Sequence, residues 1–345
     1  MPPFQNSLLL HAPNVHTGGG LVLLREILST KKCSIRWAQL DERTKSLKLS
    51  TPLIKHYVRN TIFSRFLAEW RVWYKAKSTD TVLCLHGLPP LFPVGGRVVI
   101  FLQNRILLEK NKLVDAPLKT KIRIFIERLW VKRLQRSAYC YIVQTPSMAL
   151  AAKKYLRHDL DVIISPFAPS QDVAGLPKKG KNKKKFDFLY VASGEGHKNH
   201  LNLLEAWRLL NNEGLTPSLA LTVSPKSYPL LANKIEKNIN ELGLNIVNFE
   251  QIETPALFNL YQSSSALIFP SFTESFGLPL IEATQHGIPI LASERDFVRD
   301  VATPVQTFDP ASPVSIARAV RRFLGVSESL VVVRSADDFL KVIMT

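Results

Sequence analysis

The chain has 345 residues, 46% hydrophobic and 21% charged, the balance of a folded soluble protein too long for one comfortable core and suited to two domains. Its three cysteines, Cys33, Cys84 and Cys140, are scattered and odd in number, which excludes a disulfide framework, implies a reducing compartment and leaves no pair at metal-ligand spacing. The net charge of +17 belongs wholly to the first half: residues 1–170 hold 27 Lys and Arg against 10 Asp and Glu, whereas residues 171–345 hold 18 against 18.

In chain order, the N-terminus lacks the basic region and apolar run of a signal peptide. The best candidate for a membrane span, residues 81–102, is broken by Pro89, Pro90, Pro93, Gly95, Gly96 and Arg97. A cytoplasmic chain without a spanning helix is therefore expected. Ser7 to Leu10 reads as a first strand, followed by a loop from His11 to Gly20 and a helix from about Leu21 to Leu28. Gly18, Gly19 and Gly20 let a ligand approach backbone amides closely. The loop is neither G-x-G-x-x-G nor a Gly-Lys-Ser/Thr loop, which argues against dinucleotide binding and ATP hydrolysis.

Further strands are expected at Ser34–Leu40, Thr81–Leu85, Arg97–Leu102, Cys140–Gln144 and Val162–Ser165, with helical patterns between most of them. The alternation predicts a parallel sheet covered on both faces, with its ligand cleft at the carboxyl ends of the strands. His86, Gln103, Asn104 and Thr145 fall just past such ends, on one rim; a lone His86 there is either a structural hydrogen-bond partner or a catalytic group. In the stretches Lys55 to Lys77 and Lys119 to Arg136, Tyr57, Phe63, Phe66, Trp70, Trp73, Phe125 and Trp130 alternate with Lys and Arg. Amphipathic helices in a lipid interface have that pattern, and so do core-facing helices with snorkelling basic residues. The basic half favours an anionic partner: a membrane leaflet, a pyrophosphate-linked lipid, an acidic glycan or nucleic acid.

Residues 171–185, polar and dense in Lys, read as a linker between domains 1–170 and 186–325. The second domain opens with a strand Phe186–Ala192, a loop from Ser193 to His200 and a helix Leu201–Leu210; Lys198 is aimed at whatever anion meets that loop. Strands follow at Leu219–Ser224, Asn245–Phe249 and Ala266–Phe269, with helices at about Leu230–Leu242 and Pro255–Ser263. Then comes Pro270-Ser-Phe-Thr-Glu274-Ser-Phe-Gly-Leu-Pro-Leu-Ile-Glu282, with Pro279 where a helix begins and Gly287 where it ends. Glu274 stands beside the backbone N–H groups of Phe276, Gly277 and Leu278 at the positive end of a helix dipole, and Glu282 lies one turn inside the helix. Carboxylates flanking an anion-binding helix start suit a ligand with hydroxyls and phosphates, such as a nucleotide sugar. Phe308-Asp309-Pro310 precedes a helix from Pro313 to Leu324, and residues 326–345 read as a C-terminal helix packing back on the first domain.

This segment resembles the E-x7-E signature of retaining glycosyltransferases of family 4. The resemblance implies an α/β protein of the GT-B fold, two Rossmann-like parallel-sheet domains facing each other across a cleft. It implies Glu274 and the amides from Ser275 to Leu278 at the donor sugar and its phosphates, and Glu282 at the ribose. Lys198 and Asn199 match the family's diphosphate loop, with Ser193, Gly194 and His197 beside them. The family's usual Arg falls at about Ala192 or Ser193 and is absent. Glu250, after the strand ending at Phe249, lies where the family holds the base. Gly18 to Gly20 match its glycine loop on the acceptor side of the cleft. The family's donor-contacting His has its counterpart in Gln103 or Asn104, with His86 on the preceding strand end. Glu274, Lys198 and His86 are thus the candidate catalytic groups.

Glycosyl transfer from a nucleotide diphosphate sugar builds negative charge on the leaving diphosphate, where preorganised N–H groups and Lys198 act. No metal or other cofactor is then required, and Asp159-Leu160-Asp161, remote from these motifs, is not expected to bind one. The expectation is a metal-independent hexosyltransferase of cell-surface polysaccharide synthesis, peripheral on the inner face of the membrane. Its partners are a nucleotide sugar, a glycan or lipid-linked glycan and an anionic membrane surface, not nucleic acid. A GT-B nucleotide-sugar epimerase, a non-catalytic carbohydrate-binding protein, and a glycoside hydrolase using the two carboxylates remain alternatives.

Overall fold

The computed structural model describes residues 7–29, 35–45, 54–109, 118–169, 184–250, 252 and 254–326. The first domain runs β1 (Leu8–Ala12), α1 (Gly18–Ser29), β2 (Ile35–Asp41), β3 (Ile54–Val58), α2 (Ile62–Lys75), β4 (Thr81–Cys84), β5 (Arg97–Phe101), α3 (Leu118–Leu134), β6 (Cys140–Val143), α4 (Pro146–Tyr155) and β7 (Val162–Ile164). Its seven strands are all parallel, in the order β3-β2-β1-β4-β5-β6-β7. Short apolar runs such as Val98 to Phe101 are covered on both faces, so they carry no alternation of polar residues.

The second domain runs β8 (Phe186–Tyr190), α5 (His200–Asn212), β9 (Leu219–Leu221), α6 (Pro229–Leu242), β10 (Ile246–Asn248), α7 (Thr254–Ser263), β11 (Ser264–Phe269), α8 (Leu278–Gln285), β12 (Ile290–Ser293), α9 (Asp296–Arg299), β13 (Gln306–Phe308) and α10 (Pro313–Phe323). Its sheet, also parallel, is ordered β10-β9-β8-β11-β12-β13. The order reverses between β1 and β4 in the first sheet and between β8 and β11 in the second, and ligands of such sheets bind outside the carboxyl ends at those two points. Trp207, 2% exposed, anchors α5 on the second core and donates from its indole N–H to the Pro217 carbonyl at 2.8 Å.

Helix ends follow local chemistry. Thr61, Thr145 and Ser312 cap α2, α4 and α10 by accepting from the amides of Ser64, Met148 and Ser315, and Pro146 and Pro313 stand in the first turns of α4 and α10.

Two sequence expectations are corrected. The stretch from Lys55 is not one amphipathic helix: Ile54–Val58 forms β3 on the edge of the sheet, beside β2, and the helix starts only after Thr61. Alternating Ile54, His56 and Val58 suit a strand, and Arg59-Asn60-Thr61 makes the turn. The glycine trio is not loop but the first turn of α1, with Gly18 at φ +60°. The expected linker 171–185 lies outside the described residues up to 183, and the expected C-terminal helix 326–345 does so beyond Val326. Among the described residues, no helix is long and apolar enough to cross a membrane.

Candidate functional site

The loop after β8 and the loop after β11 meet at the second switch point. Phe272 N–H donates to the His197 carbonyl at 2.9 Å, and the Tyr190 hydroxyl donates to the Lys198 carbonyl at 2.6 Å and lies 3.0 Å from Ser271 Oγ. These bonds bring Lys198 against Glu274: Nζ lies 2.7 Å from Oε1 and 2.9 Å from Oε2, with side chains only 18% and 10% exposed. Lys198 and Glu274, which the sequence assigned separately to the diphosphate and the sugar, therefore form one ion pair.

Beside it, α8 starts at Leu278 behind Gly277, which has φ +77° and gives the helix no side-chain cap. The N-cap thus offers no side-chain oxygen to the amides at this helix start, an arrangement that favours an anion. Glu282, a turn further, accepts from the Tyr261 hydroxyl at 2.7 Å. Burial pushes the Glu282 carboxyl above its ordinary value, and the Tyr261 hydrogen bond opposes this only in part.

Asn199, at φ +64°, spends its side-chain amide on the carbonyls of Pro270 at 3.0 Å and Pro310 at 2.7 Å, so it fixes the loop rather than facing the cleft. Ser193 donates to Glu195, whose other oxygen accepts from Tyr228 at 2.7 Å. Burial raises the Glu195 carboxyl, but these two hydroxyls outweigh it and hold it below the usual range. Tyr228 packs against Gly194: a Cβ there would sit 2.5 Å from its Cγ. Glu250 is exposed at φ +58°, at the end of β10.

Across the cleft, a Cβ on Gly19 would lie 3.2 Å from Leu278 Cδ1, so the glycine turn of α1 faces the start of α8. Gly20 leaves room for Gln103, whose Oε1 would lie 2.8 Å from a Cβ; Gln103 Nε2 is enclosed without a partner. Asn104 instead caps its own turn, accepting from Ile106 N–H at 3.1 Å. Of the two residues left open by the sequence, Gln103 is the one whose amide nitrogen is enclosed beside the glycine turn without a partner. Thr145 caps α4 and reaches the Ser275 carbonyl at 3.4 Å. Gly18 has open space around it. His86 is half-buried, with Nδ1 3.3 Å from the His11 carbonyl and Nε2 enclosed without a partner. Burial pushes its pKa down to about 4, so the ring is neutral near physiological pH.

Sequence reasoning missed the residues that join the domains. Arg105, 6% exposed, donates its backbone N–H to Ser275 Oγ at 3.1 Å and grips Asp296 with both guanidinium nitrogens at 2.7 and 3.2 Å. Its Nε reaches Glu109 at 2.8 Å. Burial lowers the Arg105 pKa, but hydrogen bonds to Asp296 and Glu109 outweigh this and raise it. Ser147 N–H donates to Asp300 Oδ2 at 2.9 Å, so a carboxylate of the second domain sits at the start of α4. Arg105 is a lone Arg in the basic half of the chain and looks like surface charge; the available signal was its place just past a strand end, next to Gln103-Asn104.

A model for the family described as glycosyl transferases group 1 matches residues 176–333. The serotype-specific mannosyltransferase WbdA of Escherichia coli is 31% identical over 144 residues, which is 41% of this chain and 17% of that one. The O-antigen chain mannosyltransferase B of Escherichia coli is 29% identical over 107 residues, 30% of this chain and 28% of that one. The chain thus spans only a part of each curated relative. The crystal structure of Anabaena Alr3699/HepE in complex with UDP and glucose superposes with a TM-score of 0.68 at 15% identity, covering 93% of this chain and 90% of that one. Sucrose-phosphate synthase from Thermosynechococcus elongatus gives a TM-score of 0.67 at 16% identity, with the same coverage. The architecture is GT-B, and residues 176–333, nearly all of the second domain, are similar to the glycosyl transferases group 1 family.

Proposed function

We propose that this protein is a retaining glycosyltransferase that moves a sugar from a nucleotide diphosphate sugar to a growing, lipid-linked surface glycan of O-antigen type. The observation that carries the reading is the Lys198–Glu274 pair beside the uncapped start of α8, facing Gly19 across the cleft. In the empty site Glu274 neutralises Lys198. A diphosphate entering at the α8 amides competes for the ammonium, which frees the carboxylate to accept from hydroxyls of the donor sugar. Donor binding is thus an exchange of partners, with no large charge left unmatched in either state. As the glycosidic bond breaks, charge grows on the diphosphate oxygens already facing Lys198 and the amides, so the transfer step needs no metal. Glu282 holds the ribose, and a turn of the Gln103 side chain brings its enclosed, unpartnered N–H to a sugar hydroxyl.

The relatives named as mannosyltransferases make mannosyl donors the first to try. Thermal shift against a panel of UDP- and GDP-sugars, followed by turnover without added Mg2+ or Mn2+ and assignment of the product's anomeric configuration, tests the reading. No stabilisation by any of them, or an inverted product, would count against it.

The first domain is the membrane-facing one in this proposal. Ile62, Phe63, Phe66, Trp70, Trp73 and Tyr74 of α2 are 43–91% exposed, and Leu118, Ile122, Phe125, Ile126 and Leu129 of α3 are 52–73% exposed. Glu127 and Arg123 of α3 act electrostatically on Arg65 of α2, so the two helices are neighbours. An apolar face set among Lys and Arg matches an anionic leaflet, where each basic residue contributes about 1 kcal/mol. Binding to vesicles with anionic lipid but not to neutral ones, reduced by Phe66→Ser with Trp70→Ser, is the expected result. Equal binding to both vesicle types would remove the charge argument.

A further inference from the structure

Beneath α2 the first sheet carries polar side chains where an apolar layer is the rule. His11 of β1 is fully buried and is in register with Gln39 on β2 and Cys84 on β4, so these side chains share one face. Glu69, 3% exposed, comes down onto that row from α2, and His86 joins it from two residues beyond Cys84. One ligand atom from each of His11, Glu69 and His86 lies within 4.8 Å of the other two.

The neighbours of this cluster are those of metal ligands. His86 Nδ1 faces the His11 carbonyl at 3.3 Å and donates to it, which leaves Nε2 as a lone pair with no donor near it. Glu69 Oε2 accepts from Leu91 N–H at 3.1 Å, while Oε1 lies 2.9 Å from His11 Nε2. Two ligands about 2.05 Å from one tetrahedral zinc ion stand roughly 3.3 Å apart, so the His11–Glu69 contact opens by only a few tenths of an ångström to admit it. The three ligand atoms, within 4.8 Å of one another, have to draw closer to complete the set, a movement the His86 ring can make through its side-chain torsions.

We propose that His11, Glu69 and His86 bind one divalent transition-metal ion, zinc foremost, in a three-ligand site whose fourth position is left to water and which ties α2 to the carboxyl ends of β1 and β4. The site is distinct from Lys198 and Glu274 and does not depend on the proposed transfer. Loading shifts the His11 proton from Nε2, where it now donates to Glu69, to Nδ1. Nδ1 at present accepts from Gln39 Nε2 at 3.2 Å. The Gln39 amide therefore turns over, giving up its bond to the Ala68 carbonyl at 2.8 Å, and Oε1, now without a partner, accepts from Nδ1–H. A carboxylate in place of that amide is a better orienting partner for a zinc-bound histidine.

The untagged full-length chain, stripped with EDTA, is titrated with Co2+ and then Zn2+, beside His86→Asn and Gln39→Glu. The expected result is one Co2+ per chain with a visible d–d band that Zn2+ abolishes. Zinc at a hundred times its dissociation constant should raise Tm by roughly 5–10 °C. His86→Asn should lose the band and the shift, and Gln39→Glu should bind roughly tenfold or more tightly. No band in the wild type, or equal binding by His86→Asn, overturns the proposal. If His86→Asn does not fold, the wild type still decides, because an unchanged Tm with zinc and a colourless Co2+ titration overturn it as well.

Discussion

Lys198→Ala separates what the ion pair does for stability from what it does for the ligand. The substitution leaves Glu274, 10% exposed, without its cation. Breaking a fully buried pair from one side costs about 3–5 kcal/mol. Lys198 is 18% exposed, so some water reaches the pair, and about 2–3 kcal/mol is expected. For a domain of this size that is a fall in Tm of roughly 5–10 °C. The double variant Lys198→Ala with Glu274→Ala removes the stranded charge and should recover most of the loss, a coupling that two independent sites would not give. Ligand binding should behave oppositely: the double variant recovers stability but not affinity for a nucleoside diphosphate. Turnover in Lys198→Ala should fall about 10²–10³-fold, the scale of one charge-stabilising donor. Differential scanning fluorimetry and isothermal calorimetry read the two effects separately. An unchanged Tm in the single variant, or a double variant worse than the sum of the singles, would refute the paired arrangement.

Other expectations follow from the same geometry. Arg105→Ala should loosen the two domains, raising the radius of gyration in solution scattering while leaving near-native secondary structure by circular dichroism. Reversal to Arg105→Asp with Asp296→Arg should restore part of the compaction, and an unchanged radius in Arg105→Ala would argue against the clamp. Gly194→Ala should weaken nucleotide binding about tenfold or more with little loss of fold, because a Cβ 2.5 Å from Tyr228 Cγ must push the ring and its bond to Glu195 aside. Titration of Tm with and without ligand reads it, and wild-type affinity would show that the loop tolerates the shift. Tyr261→Phe removes the one bond that holds the Glu282 carboxyl down, so its folded-state pKa rises further. A carboxyl raised in the folded state stabilises below its unfolded value of 4.5, and that contribution is lost as pH rises through the folded value. Tyr261→Phe should therefore lose stability more steeply than wild type from pH 4.5 towards neutrality, and adding Glu282→Gln should flatten the slope. Parallel curves for the three proteins would contradict the assignment.

Much of the fold was legible because parallel strands covered on both faces are short apolar runs bounded by turn residues. Val98 to Phe101 and Ala266 to Phe269 stand out for that reason. β3 did not, since Ile54 to Val58 sits on the sheet edge, carries Lys55 and His56, and merges into the aromatic pattern of α2. Glu274, Glu282, Lys198 and the helix start of α8 lie within local strand–loop–helix units, where spacing alone fixes their neighbourhood. The contacts between domains had no local signal. Arg105 meets Asp296 across 191 positions of sequence, and its place just past the end of β5 does not reveal that partner. The same holds for the cluster under α2, where His11, Gln39, Glu69 and His86 are brought together by sheet register. Gln103 was separated from Asn104 only by geometry: Asn104 closes its own turn, and Gln103 lies against Gly20 with its amide nitrogen enclosed and unpartnered.

A co-crystal with whichever nucleoside diphosphate stabilises the protein most would examine the donor site itself. The expected density has the diphosphate on the amides of Phe276 to Leu278 and on Lys198 Nζ, with that ammonium moved off Glu274 and the ribose against Glu282. A diphosphate bound elsewhere, with the Lys198–Glu274 pair intact at 2.7 Å and the α8 start unoccupied, would contradict the donor site at its foundation.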